Sequence, residues 1–340
     1  MKLVFRIALL LLVMLCANCK KEFDEYGSKY SEINSIKICN WLHGAKSALT
    51  FTWDDTNPAH AIVAEILEEY DFRGSFYIYP MRDKWNIQVL QSVYTQLAQS
   101  GHEIGNHTMR HKILTELPEN EVIEEIAEAI PIIYNETGVW PVSFSYPHGR
   151  QNRMVDSIVL AYHLFAKRVT QYNMANRVRR GIVSSTLMHE FSDWLNSTYN
   201  DGKWLIITGH GIDGGGWESI TSSFLHEMCQ EISAYDDSIW VGTLAEIAAY
   251  EYLKEELNIK HSLDEERLTI TITGYDNYKY DKIQSLPISI QLKLAKGIRL
   301  LNDNIVGISI DFRQIHNDYI ITFDVKQMQT IVLSLAKNSI

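Results

Sequence analysis

Basic residues are in short supply. Lys and Arg number 31 against 42 Asp and Glu, a formal net charge of −11, and nowhere do they cluster into the face that a phosphate backbone requires, which excludes nucleic acid as a partner. The apolar run near the start, "IALLLLVML", is too short for a comfortable membrane span. Cysteine is scarce, with four in 340 residues, too few for a disulfide framework to hold the fold. No internal repeat or low-complexity tract is present, which excludes solenoids and arrays. The glycine-rich stretch "HGIDGGGW" at 210–217 lacks the Lys and the Gly-x-Gly-x-x-Gly spacing of a phosphate cradle. What remains is a globular chain, 46% hydrophobic and 21% charged, with room for one sizeable domain plus a smaller one.

The first residues have the charge–apolar–small layout of an export signal: Lys2 and Arg6 lead into the apolar run, and Cys16 and Cys19 follow. Leu15-Cys16-Ala17-Asn18-Cys19 resembles the lipobox of bacterial lipoproteins, with Asn18 where a small residue is usual. The expectation is a signal peptide of lipoprotein type over 1–19 with Cys19 as the anchor, so that contact with a membrane runs only through the lipid; ordinary cleavage nearby is the alternative. A polar tether and N-terminal segment follow over 20–45. Cys39 and Cys229 are expected as two separate thiols, since export permits a disulfide without requiring one.

From about residue 46 strand and helix alternate. "KSALTFTW" is a β-branched and aromatic run ending at Asp54-Asp55, and "PAHAIVAEILEEY" opens with Pro58 and carries apolar residues at helical spacing. "GSFYIYP", "HEIGNH", "PVSFSYP", "YHLFAKRVT", "KWLIITGH" and "SIWVGT" read as further strands. Helices come from "WNIQVLQSVYTQLAQSG", "ENEVIEEIAEAIPIIYNETG" (interrupted at Pro131), "TLMHEFSDWLNSTYN", "ITSSFLHEMCQEISAY" and "LAEIAAYEYLKEEL". Such units make a parallel sheet with helices outside, open or closed into a barrel, and chemistry then gathers at the C-terminal ends of the strands. Beyond about 257 the pattern changes to alternating strands with turns between them, "RLTITITG" to "TIVLSLA", which predicts a small antiparallel β-sandwich over 257–340.

Polar residues collect at the predicted strand ends. His107 and His111 lie four apart in "HEIGNHTMRH", a spacing that lets two imidazoles face one ion across a helical turn or a tight loop, and equally suits a solvated surface. Asp54 and Asp55 end the first strand, where adjacent carboxylates persist if a cation or a shared proton relieves their repulsion. One of them completes an Asp-His-His set with open positions, the catalytic rather than the structural pattern for zinc, and the other is left as a base. "SYPHG" ends a further strand, and "LIITGH" delivers His210.

In that order the motifs resemble those of the polysaccharide deacetylases, the NodB-homology family of metal-dependent carbohydrate esterases. Thr52-Trp53-Asp54-Asp55-Thr56 is similar to the family's Thr-Phe-Asp-Asp-Gly, "HTMRH" to His-(Ser/Thr)-x-x-His, and Phe144-Ser145-Tyr146-Pro147-His148-Gly149 and "LIITGH" to its third and last motifs. The likeness spans roughly 46–255 and implies an irregular (β/α) barrel of the polysaccharide deacetylase type over 46–256, acting on an acetylated glycan. It implies that Asp55, His107 and His111 bind a divalent metal, zinc foremost, with Asp54 as general base and His210 as general acid. The backbone N–H of His148 serves the oxyanion, and Tyr146, Pro147, His148 and Trp217 line the substrate. An acetylxylan-type O-esterase using the same residues, or a catalytically impaired carbohydrate-binding protein, stays open as an alternative.

Two departures stand out. Ser145 occupies the place where the family often carries an Arg paired with the base, for which Arg150, Arg153 and Arg180 are candidate substitutes. Thr56 replaces a Gly, which restricts the turn after Asp55. Glu190-Phe191-Ser192-Asp193-Trp194 is a look-alike of a further family motif, placed by periodicity inside a helix and read as coincidence. His60, His163, His189, His226, His261 and His316 are expected as surface or satisfied core residues, and His43 and His102 as packing residues. Trp204, Trp217 and Tyr146 are candidate sugar platforms, with core packing an equal alternative. The loop after His210 is expected to line the substrate with Asp213 and Trp217.

Overall fold

The computed structural model describes residues 32–81, 90–167, 176–301, 310–315 and 318–337. The expected signal peptide with Cys16 and Cys19, the start of the tether and His316 lie outside them. Among the described residues no helix is long and apolar enough to cross a membrane.

In chain order the strands are β1 (Ile33–Ile38), β2 (Ser47–Trp53), β3 (Ser75–Ile78), β4 (Glu103–Asn106), β5 (Ser143–Phe144), β6 (Phe165–Ala166), β7 (Arg177–Gly181), β8 (Trp204–Gly209) and β9 (Ile239–Val241). They continue as β10 (Asn258–Asp264), β11 (Arg267–Thr273), β12 (Pro287–Leu294), β13 (Ile298–Leu301), β14 (Asp311–Ile315), β15 (Asp318–Asp324) and β16 (Thr330–Lys337). The helices are α1 (His60–Glu69), α2 (Thr95–Gln99), α3 (Glu119–Ala127), α4 (Ala129–Thr137), α5 (Arg153–Tyr162), α6 (Met188–Asp201), α7 (Ser222–Ser233) and α8 (Leu244–Glu256).

The chain divides into two compact units. One consists of Cys39–Glu256 with Asp276–Pro287; the other is built from β1 and β10 to β16. In the first, a wholly parallel sheet runs in the order β6-β5-β4-β3-β2-β8-β7, and β9 pairs with the start of β2. β6 and β7 end the order, so among the described residues no strand pairing closes the sheet into a full barrel. All seven residues of β2, "SALTFTW", are buried, as a strand covered on both faces requires. Leu49, Phe51 and Trp53 join Val63, Leu67, Phe76, Leu205, Ile207 and Leu225 in one core cluster. Each large apolar side chain buried this way contributes roughly 1.5–3 kcal/mol.

The interruption expected at Pro131 falls between α3 and α4, at Glu128. Proline has no N–H to give the carbonyl four residues back, that of Ala127, and its ring crowds it, so the helix yields one turn ahead of the proline. α5, capped by the Asn152 side chain accepting from Val155 N at 2.9 Å, and the charged edge strand β7, "RVRRG", are absent from the periodicity reading.

Among the described residues of the second unit, eight strands form two four-stranded antiparallel sheets, ordered β1-β12-β15-β14 and β10-β11-β16-β13. Strand alternation from residue 257 onward is therefore present. The N-terminal segment 20–45, expected to begin as a tether, contributes β1, which pairs with β12 from Ile33↔Leu294 to Ile38↔Ile290. Cys39 and Cys229 are two separate buried thiols, as expected.

Candidate active site

β2, β4, β5 and β8 run in the same direction, so the residues that follow them meet at one end of the sheet. A cavity of about 890 Å³ opens there, and its walls include Asp54, Asp55, His107, His111, Ser145, Tyr146, His148, Lys167, His210 and Trp217. This volume suits a small ligand or a sugar unit.

Asp55 Oδ1 lies 3.2 Å from His111 Nε2 and 3.7 Å from His107 Nε2, and the ligating atoms of the three residues all fall within 4.8 Å of one another. The two histidines meet through a tight loop rather than a helical turn. Asn106 Oδ1 accepts from Thr108 N at 2.8 Å, and Thr108 Oγ1 accepts from His111 N at 2.9 Å. Thr108 and His111 both take left-handed backbone angles, φ 71° and 59°. Glu125 buttresses the loop from α3, accepting from Arg110 N at 2.8 Å and pairing with its guanidinium at 3.1 Å. His107 Nδ1 lies 2.8 Å from the Ser145 carbonyl oxygen, so Nδ1 donates to it and Nε2 faces Asp55. Burial lowers His111 to about 4, with the neighbouring His107 adding to the effect, and this keeps its imidazole in the neutral form that ligates metals. One carboxylate and two imidazoles, converging and with room beside them, fit a divalent ion of the zinc type.

Asp54 is buried beside this set. Its Oδ1 accepts from Lys167 Nζ at 2.7 Å and its Oδ2 from Ser145 Oγ at 2.9 Å. Burial alone would raise its pKa, but the charges of Lys167, His107 and His210 and the Lys167 hydrogen bond together bring it far below the usual carboxylate range. Lys167 follows β6, and its own N–H donates to Phe144 O at 2.9 Å. None of the arginines proposed from sequence takes this place. Arg150 is exposed and pairs with Glu116 at 2.7 Å, Arg153 begins α5, and Arg180 lines the cavity but lies 5.7 Å from the Trp194 ring. A charged residue closing the apolar strand "LFAK" was the available signal for Lys167, though sequence alone could not show that it faces a residue 113 positions earlier.

His210 follows β8, and its ring packs edge-on against Trp217 with centroids 4.6 Å apart. Burial lowers its pKa, offset in part by Asp54 and Asp55. Its Nδ1 is buried without a hydrogen-bond partner among the described residues. His60, expected as a surface or satisfied core residue, is the latter: its Nε2–H donates to His210 O at 2.9 Å, and its Nδ1 lies 3.0 Å from Tyr94 Oη, which fixes the backbone under His210. Glu190 serves α6 instead of His210, accepting from Leu187 N at 2.9 Å.

Thr56 does not adopt the left-handed conformation that glycine accepts most freely. The left-handed residue is Asp55, with φ 72°. Thr56 is buried, and its hydroxyl donates to Tyr79 O at 2.7 Å and accepts from Tyr79 N at 3.0 Å, tying the turn to the end of β3.

The substrate-lining residues separate. Tyr146 and His148 line the cavity; the His148 ring lies tilted against His111 with centroids 4.8 Å apart, and its backbone is left-handed at φ 55°. Pro147 is buried beneath that turn and does not line the cavity. Trp217 is 60% exposed at the mouth, whereas Trp204 is fully buried, donating to Thr50 Oγ1 at 3.0 Å. In the glycine-rich loop Asp213 does not line the cavity; it accepts from Ser222 N at 2.8 Å and from the Ser222 hydroxyl, fastening the loop to α7. His102 and His163 are buried and hydrogen-bonded, as packing residues.

The polysaccharide deacetylase family model matches residues 43–164. Chitin deacetylase 1 of Cryptococcus neoformans is 26% identical over 150 residues, covering 44% of this chain and 29% of that protein. The peptidoglycan-N-acetylmuramic acid deacetylase PdaC of Bacillus subtilis is 29% identical over 138 residues, covering 40% and 28%. The chain thus spans less than a third of the length of these curated relatives. Among solved structures, a Mycobacterium smegmatis protein assigned to the polysaccharide deacetylases aligns with a TM-score of 0.50 at 18% identity, covering 66% of this chain and 96% of that one. That likeness concerns the fold, a curled parallel sheet.

Proposed function

We propose, from the match of residues 43–164 to the polysaccharide deacetylases, that this chain hydrolyses acetyl groups from an acetylated glycan, using a divalent ion, zinc foremost, held by Asp55, His107 and His111. The observation that carries the reading is the convergence of these three donors within 4.8 Å of one another in a cavity whose walls also hold Asp54 and His210.

When bound, the ion supplies Lewis acidity, which makes water a nucleophile near neutral pH and polarises the acetyl carbonyl. Asp54 is ionised at neutral pH and accepts the proton of the attacking water; each of its oxygens has a second lone pair beyond those given to Lys167 and Ser145. His210 donates a proton to the departing nitrogen or oxygen of the sugar, which leaves poorly without one. The backbone N–H of His148 faces the developing oxyanion, a role independent of the side chain there. Trp217, exposed at the mouth, offers its ring face to pyranose C–H surface, whereas Tyr146 is buried against Phe144. The export-type start fits a substrate outside the cytoplasm, with the protein held to the envelope through a lipid.

The test is acetate release from acetylated chitooligosaccharide, peptidoglycan and acetylxylan, measured on zinc-loaded protein, after chelation and after zinc is restored. Release that vanishes with chelator and returns with zinc supports the reading, and the responsive glycan separates amide from ester chemistry. Binding to one of these glycans with no acetate from any would contradict it in favour of a carbohydrate-binding protein.

A further inference from the structure

We infer that Lys167, together with Ser145, is the positioning residue of Asp54, holding its carboxylate beside the candidate ion as a base. The inference rests on the reading of Asp54 given above.

The two adjacent aspartates are held in different ways. Each oxygen of Asp54 has its own donor, Lys167 Nζ at 2.7 Å and Ser145 Oγ at 2.9 Å, and the donors come from the ends of neighbouring strands, β6 and β5. Two anchors on opposite oxygens fix both the position and the rotation of a carboxylate plane. Asp55 Oδ1 instead faces two imidazole nitrogens.

The Lys167–Asp54 pair is nearly dry, with side chains 7% and 9% exposed. Burying two charges is unfavourable enough that apolar residues of like volume often do as well or better for stability, so fold stability is a weak reason for this lysine. Its placement is nonetheless specific. The backbone is pinned to β5 through Phe144 O, and the ammonium sits 5.2 Å from the centroid of the Tyr77 ring, whose hydroxyl accepts from Ser143 Oγ at 3.1 Å.

The chemistry of the donors explains why two residues are used. A guanidinium grips a carboxylate with two parallel N–H bonds, whereas an ammonium is a point charge that fixes one oxygen and leaves the group free to swivel. Ser145 supplies the second bond. Lysine and serine thus divide between them what one arginine fork would do.

The test compares zinc-loaded wild type with Lys167→Met, Lys167→Arg and Ser145→Ala by crystallography, zinc titration calorimetry and steady-state kinetics. In Lys167→Met the Asp54 carboxylate is expected to rotate or move and kcat to fall about 100-fold, the scale of a misplaced catalytic group. KM and zinc affinity should stay within about threefold, since ground-state binding is untouched. Lys167→Arg is expected to return the carboxylate to its place and at least about a tenth of the wild-type kcat. Where Lys167→Met does not fold, Ser145→Ala replaces it, with a rotated carboxylate and about a tenfold loss. An unmoved Asp54 carboxylate with turnover within about threefold of wild type, or an arginine variant no better than the methionine one, would overturn the inference. Should wild type release no acetate from any glycan, the deacetylase reading falls by itself, and the crystallographic comparison still decides the role of Lys167.

Discussion

His107 Nδ1 lies 2.8 Å from the carbonyl oxygen of Ser145. A carbonyl only accepts, so Nδ1 is the donor in this contact and Nε2 is turned toward Asp55. A backbone atom of β5's end therefore orients a ligand candidate after β4, and the third motif contributes to the candidate metal set without supplying a ligand candidate of its own. Because the acceptor is backbone, Ser145→Ala leaves this bond intact while removing the bond to Asp54.

The adjacent carboxylates should separate by experiment. Asp54→Asn is expected to lower turnover at least about 100-fold, the loss of a general base, with zinc affinity within about threefold as measured by calorimetry. Asp55→Asn is expected to weaken zinc binding about 100-fold or more, since even outer-shell changes reach that scale. Equal zinc affinity in the two variants would contradict the assignment.

Restoring glycine at 56 should bring no benefit. Asp55 already carries the left-handed angle, and Thr56→Gly would remove both hydroxyl bonds to Tyr79. A loss of about 1–3 kcal/mol in urea denaturation is expected, with no rise in the rate of acetate release. A faster enzyme would show that Thr56 impairs the turn.

Acid should weaken the fold through buried neutral histidines. Burial lowers His60 and His163 from the ordinary 6.5 to about 4. His163 accepts from Asn106 Nδ2 at 3.1 Å and lies 3.2 Å from Val159 O through its other nitrogen, so a second ring proton would face an N–H. Below about pH 6.5 the unfolded chain takes up protons that the folded chain refuses. Stability is thus full above that pH, falls as pH drops toward about 4, and levels off below it. Each histidine accounts for roughly 3 kcal/mol at most across this window. Denaturation at pH 7.5 and 5 checks the sign, and His163→Gln should flatten the dependence.

The alternation of strand and helix was legible because β2, β3 and β8 are largely apolar runs bounded by polar turns, and motif order brought Asp55, His107, His111 and His210 to one sheet end. The parts that escaped share a physical cause: they depend on contacts between distant segments. Lys167 is an ordinary lysine until β5 and β6 place it against Asp54. β7 is a run of arginines that becomes a strand only by pairing with β8, and β1 looks like linker until β12 pairs with it more than 250 residues away. Pro147 and Asp213 lie within motif segments, yet turn geometry assigns one to the interior and the other to fastening the loop.

The most direct test is diffraction at the zinc absorption edge from crystals of zinc-loaded protein. One anomalous peak is predicted, roughly 2.0–2.2 Å from a carboxylate oxygen of Asp55 and from Nε2 of both His107 and His111, with Asp54 still bonded to Lys167 and Ser145 outside the first coordination sphere. A fully loaded protein with its zinc elsewhere, or with Asp54 as the coordinating carboxylate, would contradict the account.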